Sequence, residues 1–143
     1  MDALYIHIPF CMRKCAYCDF HSFEGTMSES KKYVDYLIKD FKSWPKYKYD
    51  TVYFGGGTPS LLEPSEIGRI LKEIEITENA EITLELNPAT ANLKKLKEFR
   101  ENGINRLSIG IQSFNNEILK TLGRLHSAEK AKETFYNARK AGF

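Results

Sequence analysis

Short apolar runs alternate with longer amphipathic segments along this chain. Four runs have the length and residue types of strands, and each is followed by a proline, glycine, asparagine or glutamine; they cover residues 3–8, 51–54, 81–86 and 106–111. In the segment after each run, apolar positions recur every three or four residues, which is the period of a helix. Four strand–helix units in succession predict an α/β protein with a parallel sheet and helical crossovers.

Capping residues set the predicted limits of the helices. Ser28 is the predicted N-cap of the first helix, and Pro45 lies just beyond its expected end. Gly103 closes the third helix, and Gly142 follows a last helix expected between Ser127 and Ala141. The second helix is expected to bury an apolar face formed by Ile67, Ile70, Leu71 and Ile74.

Composition and charge exclude several classes of function. The formal net charge of the 143 residues is only +2, so the chain lacks the basic field that dominates nucleic-acid binding. No segment approaches the roughly 20 apolar residues that span a bilayer, and the first residues do not have the pattern of a signal peptide. The three cysteines are an odd number, which does not suit a disulfide framework. We therefore expect a cytoplasmic protein with reduced thiols, no membrane span and no nucleic-acid partner.

All three cysteines, Cys11, Cys15 and Cys18, fall within eight positions after the first predicted strand. Such spacing is typical of a ligand set for iron–sulfur or zinc chemistry, because both favour thiolates from one short loop. Zinc is the main competitor, since His21 could complete a tetrahedral Cys/His set. A redox pair of Cys15 and Cys18 is a weaker interpretation, because it leaves Cys11 unexplained.

Residues of unusual type follow each of the four predicted strands. The cysteines follow the first strand, Gly55–Gly57 the second, Glu85 and Asn87 end the third, and Gln112 follows the fourth. The carboxyl ends of parallel strands share one face in a barrel or an open sheet, and ligands bind there. The sequence therefore predicts one site built from residues that are far apart along the chain.

The Cys-x3-Cys-x2-Cys pattern, with Tyr17 before the last cysteine, resembles that of the radical S-adenosylmethionine enzymes. In that family three thiolates hold three irons of a 4Fe-4S cluster, and the fourth iron is left for the amino and carboxyl groups of S-adenosylmethionine. The glycine-rich stretch GGGTP at 55–59 also matches the family, where it is expected to meet the amino group of the ligand. The resemblance implies an incomplete TIM-type barrel with helices outside, and reductive cleavage of S-adenosylmethionine to a 5′-deoxyadenosyl radical.

Carried over position by position, the resemblance implies two sets of site residues. The cluster ligands are Cys11, Cys15 and Cys18, and the contacts to S-adenosylmethionine are Tyr5, Tyr17, Gly56, Gly57, Thr58, Glu85, Gln112 and Arg124. The residue types suit these roles, because a carboxylate accepts hydrogen bonds from hydroxyl or ammonium groups and arginine can grip a carboxylate. Each has a plainer alternative: Glu85 and Gln112 could cap strand ends, and Arg124 could be a solvated cation.

The combination of YIHIPFC, YFGGGTPSLL, ELNP, RLSIGIQSF and LGRLH resembles the coproporphyrinogen oxidase-like branch of the family. That branch holds an oxygen-independent porphyrinogen oxidase and a heme chaperone. The oxidase pattern is expected to carry a further cysteine where this chain has Phe20, so the chaperone is favoured. The resemblance implies heme or a porphyrinogen as partner, with an electron donor such as a flavodoxin or ferredoxin. Residues 1–143 are then expected to be the amino-terminal part of a radical S-adenosylmethionine core domain, truncated before the fifth strand.

Overall fold

The computed structural model describes residues 2–143, which form six strands and five α-helices. The strands are β1 (Ala3–Ile8), β2 (Phe10–Cys11), β3 (Phe23–Glu24), β4 (Lys48–Gly56), β5 (Glu75–Leu86) and β6 (Arg106–Ile109). The helices are α1 (Met27–Phe41), α2 (Pro64–Leu71), α3 (Leu93–Glu101), α4 (Asn116–Thr121) and α5 (Ala128–Lys140). Within this described range, no helix is long and apolar enough to cross a membrane.

The main sheet has four strands in the order β1-β4-β5-β6, and every pairing is parallel. Helices α1, α2 and α3 are the crossovers between successive strands of this sheet. Contacts of α1 with α2, of α2 with α3 and of α3 with α5 make a helical layer. This arrangement confirms the predicted α/β fold, an incomplete barrel of four strand–helix units with the helices outside.

The two faces of the sheet differ in chemistry. On β1 the alternate residues Leu4, Ile6 and Ile8 are buried against the helices, and the same face continues in the apolar residues of β4 and β5. Tyr5 and His7 alternate with them and project from the opposite, inner face of the sheet. One face therefore builds the core, and the other is left for polar side chains.

The first helix starts earlier than predicted. The N-cap is Thr26 and not Ser28: the Thr26 hydroxyl accepts a hydrogen bond from the Glu29 amide at 3.2 Å, and the Glu29 carboxylate accepts one from the Thr26 amide at 2.7 Å. This reciprocal capping box satisfies two free amides at once, which Ser28 could not do from inside the first turn. The prediction of Ser28 as N-cap was therefore wrong.

Strand limits also differ from the prediction. β4 and β5 both begin upstream of the predicted runs, because Glu75 and Ile76 pair with Lys48 and Tyr49 before a register shift between Tyr49 and Thr51. β6 ends at Ile109 and not at Ile111, because the chain turns around Gly110, where the Ile111 amide donates to the Ile109 carbonyl at 2.9 Å. Ile74 lies beyond α2, although it still packs on the core.

Candidate functional site

A cavity of about 260 Å³ lies at the carboxyl ends of the four strands. Its walls come from the loop after β1, the glycine stretch after β4, the end of β5 and the segment after β6. Ten of the eleven predicted site residues line it: Cys11, Cys15, Tyr17, Cys18, Gly56, Gly57, Thr58, Glu85, Gln112 and Arg124. Four distant parts of the sequence are thus brought together as parallel-strand topology predicts.

Tyr5 is the predicted site residue that does not line this cavity. It lies on the inner face of β1, where its ring stacks on Tyr53 with centroids 6.0 Å apart. Its hydroxyl is 3.4 Å from Nδ1 of His7. Partial burial raises the pKa of the Tyr5 hydroxyl, and the nearby Glu85 carboxylate raises it further. The hydroxyl therefore stays protonated and can donate, but a ligand contact by Tyr5 remains a prediction.

The three thiols are free and differ in burial. Cys11 is buried, and its sulfur lies 3.6 Å from the Thr58 hydroxyl, which donates to it. Cys15 and Cys18 are half-buried and share a turn closed by the Cys18 amide and the Cys15 carbonyl at 3.1 Å. Among the described residues, no three His, Cys, Asp or Glu side chains are gathered around a point where one metal ion could bind. A multi-iron cluster spreads its thiolates over several irons, so it does not require that gathering.

We call residues 11–24 the cysteine loop, and its two ends are tied together. Phe10 pairs with Phe23 and Cys11 with Glu24 in the β2–β3 ladder, and the Phe23 amide also donates to the Pro9 carbonyl at 2.9 Å. At the exit of the loop, Nε2 of His7 donates to the His21 carbonyl at 2.9 Å. His7 is thus a satisfied histidine that holds the loop to β1. The His21 side chain is exposed and does not line the cavity.

Glycine is required at 56 by the close approach of β1 and at 57 by the close approach of the segment that enters the cysteine loop. A Cβ on Gly57 would lie 2.7 Å from the Phe10 carbonyl oxygen and 3.0 Å from the Cys11 sulfur. Gly56 has φ +115, and a Cβ there would meet the His7 ring at 2.7 Å. The Gly57 amide donates to the Ile8 carbonyl at 2.8 Å. The glycines therefore seat the cysteine loop and keep the cavity wall free of side chains.

Glu85 presents its carboxylate to the cavity from the end of β5. One oxygen accepts a hydrogen bond from the Tyr53 hydroxyl at 2.9 Å, and the other accepts one from the Gly56 amide at 3.2 Å. Burial and this hydrogen bond raise the pKa of the Tyr53 hydroxyl, so it remains a donor. Glu85 thus ties two strand ends together and also faces the cavity, and its contact with a ligand stays a prediction.

Arg124 reaches the cavity from the segment after α4. Its Nη2 donates to the Gly110 carbonyl at 2.7 Å, and its Nη1 lies 3.5 Å from the Cys15 sulfur. Its Nε is buried without a partner. Burial raises the pKa of the Tyr17 hydroxyl, and the nearby Arg124 charge partly offsets that rise. The guanidinium thus lies beside the Cys15 sulfur with its Nε buried, and it is not the solvated helix-end charge of the alternative.

Gln112 lies in a strained turn, which we call the glutamine turn, formed by Ile111, Gln112 and Ser113. The Ser113 amide donates to the Ile111 carbonyl at 2.9 Å, and Gln112 has φ +66. A γ-turn of this hand is rare and costs free energy. Nε2 of His126, a buried residue, donates to the same Ile111 carbonyl at 3.1 Å. The turn is thus held by a side chain from outside it.

The sequence prediction missed several residues at the site. The cavity is also lined by Arg13, Phe20, Leu86, Asn87, Ser108 and Gly110, of which only Asn87 had been noted at a strand end and Phe20 only as a missing cysteine. Strand alternation could have found Ser108, because it pairs with Glu85 on β5. His126 was part of the LGRLH stretch that carries the resemblance, but it was not singled out, because its place depends on the turn that it holds.

The donor set fits the implied cluster and ligand. Three thiols from one loop face one cavity, with a cation at Arg124 and a carboxylate at Glu85 on other walls. Thiolates suit iron–sulfur clusters. The buried, unpartnered Nε of Arg124 marks a place where a hydrogen-bond acceptor is missing from the protein itself.

Comparisons with known proteins agree with this chemistry. A family model described as the Radical SAM superfamily matches residues 5–143. The chain is 41% identical over 138 residues to the heme chaperone HemW of Buchnera aphidicola from Schizaphis graminum, covering 90% of this chain and 37% of that protein. It is 39% identical to the mitochondrial radical S-adenosyl methionine domain-containing protein 1 of Danio rerio, covering 96% of this chain and 33% of the relative.

Among solved structures, coproporphyrinogen III oxidase (HemN) of Escherichia coli superposes with a TM-score of 0.89 at 30% identity, covering 99% of this chain and 35% of that one. The chain thus spans between a third and two fifths of the length of these proteins. The family match over nearly every residue, the fold and the cysteine loop all agree, and the chain belongs to the radical S-adenosylmethionine superfamily.

Proposed function

We propose that this chain forms the cluster-binding and S-adenosylmethionine-binding region of a HemW-like protein that binds heme and transfers it to acceptor proteins. One observation carries the proposal: three thiols from a single loop and a separate cation and carboxylate surround one cavity. Relatives named as heme chaperones supply the heme part of the proposal. The family implies the 4Fe-4S cluster and S-adenosylmethionine.

In this proposal Cys11, Cys15 and Cys18 hold the cluster. Cys11 is fixed in place by its burial and by the Thr58 hydroxyl, whereas the other two lie on the exposed part of the loop. When bound, the cluster supplies the electron for reductive cleavage of the sulfonium ligand. A small electron-transfer protein such as a flavodoxin or ferredoxin is the proposed donor, and a reducing compartment such as the cytoplasm suits the free thiols.

The remaining residues of the cavity would hold S-adenosylmethionine. Arg124 offers a guanidinium for its carboxylate, and Glu85 offers oxygens for its ammonium group or ribose hydroxyls. Gln112 and Thr58 add neutral polar groups, and the Tyr17 ring gives an apolar surface at the cysteine loop. Gly56 and Gly57 let the ligand approach the backbone.

The second candidate is an oxygen-independent coproporphyrinogen III oxidase. The structural agreement with HemN, at a TM-score of 0.89, favours it. Against it stands Phe20, which lines the cavity at the position where the oxidase pattern is expected to carry another cysteine. The proposal therefore places this chain with the heme chaperones.

Two assays on the anaerobically reconstituted protein separate the candidates. Hemin is titrated while the heme absorption is followed, and coproporphyrinogen III is offered with S-adenosylmethionine and a reductant while protoporphyrinogen formation is measured. Stoichiometric hemin binding without conversion of coproporphyrinogen III is the expected result. Conversion without hemin binding would support the oxidase, and neither activity would contradict the heme and porphyrin parts of the proposal.

A further inference from the structure

The glutamine turn is held by two side chains that come from the same short segment. Arg124 donates to the Gly110 carbonyl at 2.7 Å, and His126 donates to the Ile111 carbonyl at 3.1 Å. These two carbonyls directly precede Gln112, so their orientation sets the peptides that lead into the turn. The bonds come from residues 124 and 126, which places both donors just after α4.

Stability of the fold alone does not explain a histidine at position 126. Its side chain is 5% exposed, and its Nδ1 is buried without a hydrogen-bond partner. A buried polar atom without a partner costs free energy, and a leucine of similar volume would avoid that cost. The cost therefore has to be explained by what Nε2 does, and its one bond is to the carbonyl that closes the glutamine turn.

The strained backbone at Gln112 explains what the hydrogen bond from His126 to the Ile111 carbonyl does. With φ +66, Gln112 holds a conformation that non-glycine residues rarely adopt, and it relaxes unless its surroundings hold it. The Ile111 carbonyl accepts from both the Ser113 amide and His126, so it is fixed on two sides. In this conformation Gln112 lines the cavity together with Arg124.

We propose that His126 is a positioning residue for the ligand pocket, and that its Nε2 holds the glutamine turn so that Gln112 and Arg124 face S-adenosylmethionine together. The inference rests on the proposed function, because it takes Gln112 and Arg124 as contacts to that ligand. His126 itself touches neither the cavity nor the cysteines. It acts through the backbone of residues 110–112.

The chemistry of the imidazole agrees with this role. Donation to a carbonyl needs a proton on Nε2, and the neutral tautomer that carries it leaves Nδ1 as the orphan. Burial lowers the pKa of His126, and the nearby Arg124 charge acts in the same direction, while the bond to Ile111 opposes them. The imidazole is therefore a neutral donor in the working range of a cytoplasmic protein.

The test compares three variants with the wild-type chain after anaerobic loading with iron and sulfide. His126→Leu removes the donor and keeps the bulk, whereas His126→Gln keeps an amide donor. Thr134→Val is the matched control, because Thr134 is also buried and donates to a carbonyl outside the turn, that of Pro88 at 3.4 Å. Iron content, the midpoint of denaturant unfolding and the Kd for S-adenosylmethionine by equilibrium dialysis are measured for each.

We expect His126→Leu to weaken S-adenosylmethionine binding about tenfold, as for the loss of one hydrogen bond that orders the site. Its iron content and unfolding midpoint should stay at or above those of the wild type, because the orphan nitrogen is gone. His126→Gln should bind within about twofold of the wild type. Thr134→Val should lower the midpoint and leave the Kd unchanged.

Two results would overturn the inference. One is an unchanged Kd in His126→Leu; the other is a loss of affinity that tracks the loss of stability equally in His126→Leu and Thr134→Val. Amide hydrogen exchange at Ser113, measured without ligand, keeps the test independent of the proposed function: exchange should be faster in His126→Leu than in the wild type. A wild-type chain with its iron in place that binds no S-adenosylmethionine would instead overturn the proposed function.

Discussion

The cysteine loop and the glutamine turn face the same cavity but are built in opposite ways. The cysteine loop is long and mostly exposed between its ends, and Cys15 and Cys18 share a single internal turn. The glutamine turn is three residues long, is strained, and is held by the buried His126 and by Arg124. One wall depends on its ends for order, and the other is fixed along its length.

Under the proposed function, this difference matches what each wall would bind. A metal cluster forms strong bonds to thiolates, so it can order the exposed part of its own loop once the ends are in place. An organic ligand makes weak contacts one at a time, and it binds best where the protein has already fixed the groups that it meets. In this proposal the wall that would hold the organic ligand is the rigid one, and the wall that would hold the cluster is anchored only at its ends.

Among variants that test the difference between the two walls, replacement of Gly57, which lies against the start of the cysteine loop, should have the largest effect. In Gly57→Ala the new Cβ meets the Phe10 carbonyl at 2.7 Å, the Pro9 carbonyl carbon at 2.9 Å and the Cys11 sulfur at 3.0 Å. We expect a stability loss of about 1–3 kcal/mol and a clear fall in iron per chain after reconstitution. Denaturant unfolding and iron analysis measure both.

Gly68→Ala is the matched control for that variant. Gly68 lies in α2 away from the cavity, its nearest neighbour is the end of the Asn102 side chain, and alanine suits a helix interior. It should keep its iron and most of its stability. Equal iron content in the two variants would show that the anchoring of the loop at Gly57 is unimportant.

Neutralising the Glu85 carboxylate should have the next largest effect. Glu85→Gln removes the charge and leaves a single amide oxygen for two donors, the Tyr53 hydroxyl and the Gly56 amide. We expect about tenfold weaker S-adenosylmethionine binding and a stability loss of about 1 kcal/mol. Equilibrium dialysis and unfolding curves give the two numbers.

Glu81→Gln provides the comparison on the same strand. Glu81 lies four residues earlier on β5, is outside the cavity and pairs with Arg106 at 3.6 Å on the exposed part of the sheet. Its neutralisation should leave ligand binding unchanged. If both variants lose affinity alike, the effect of Glu85 is a general one of charge and not of contact.

The sequence was sufficient for the sheet and for most of the cavity, and the reason is geometric. β1 keeps its predicted limits because its buried residues alternate strictly, and the cavity residues follow from the shared face of parallel strand ends. Family resemblance added Tyr17 and Arg124, which no local pattern marks. Tyr5 was predicted with them, although it lies on the inner face outside the cavity.

What the sequence could not give depends on three-dimensional partners. Gln112 has φ +66 beyond the end of β6, in a turn whose Ile111 carbonyl accepts a hydrogen bond from His126, fifteen residues further on. The extended start of β5 depends on pairing with β4 across a register shift, which its polar residues do not reveal. Local propensity cannot anticipate either, because both are tertiary effects.

Relaxing the glutamine turn should have a smaller effect that runs in opposite directions for stability and binding. Gln112→Gly removes the penalty of φ +66, so we expect a gain in stability of about 0.5–1 kcal/mol together with weaker S-adenosylmethionine binding. Gln112→Ala loses the same side chain but keeps the strain, so it should lose affinity without the gain. Similar unfolding midpoints for these two variants would show that the backbone conformation at Gln112 does not reduce stability.

The smallest expected effect is on the pH dependence of stability. Because folding lowers the pKa of His126, the unfolded chain takes up this proton more readily than the folded one. The stability that the neutral imidazole contributes is therefore fully present above the ordinary histidine pKa of about 6.5 and is lost as pH falls below it. As pH falls from 7.5 to about 5.5, the wild type should lose stability while His126→Leu does not, so the unfolding free energy of the variant minus that of the wild type should grow. Parallel pH profiles would contradict the neutral, buried imidazole.

Metal loading of the cysteine loop tests the central claim most directly. Anaerobic reconstitution with iron and sulfide should give about four irons per chain and broad absorption toward the blue end of the visible spectrum. Alanine at Cys11, Cys15 or Cys18 should abolish the cluster, while His21→Ala should keep it, because the His21 side chain does not line the cavity. A chain that refuses iron, holds one tightly bound zinc and releases it in His21→Ala would contradict the account and make the loop a zinc site.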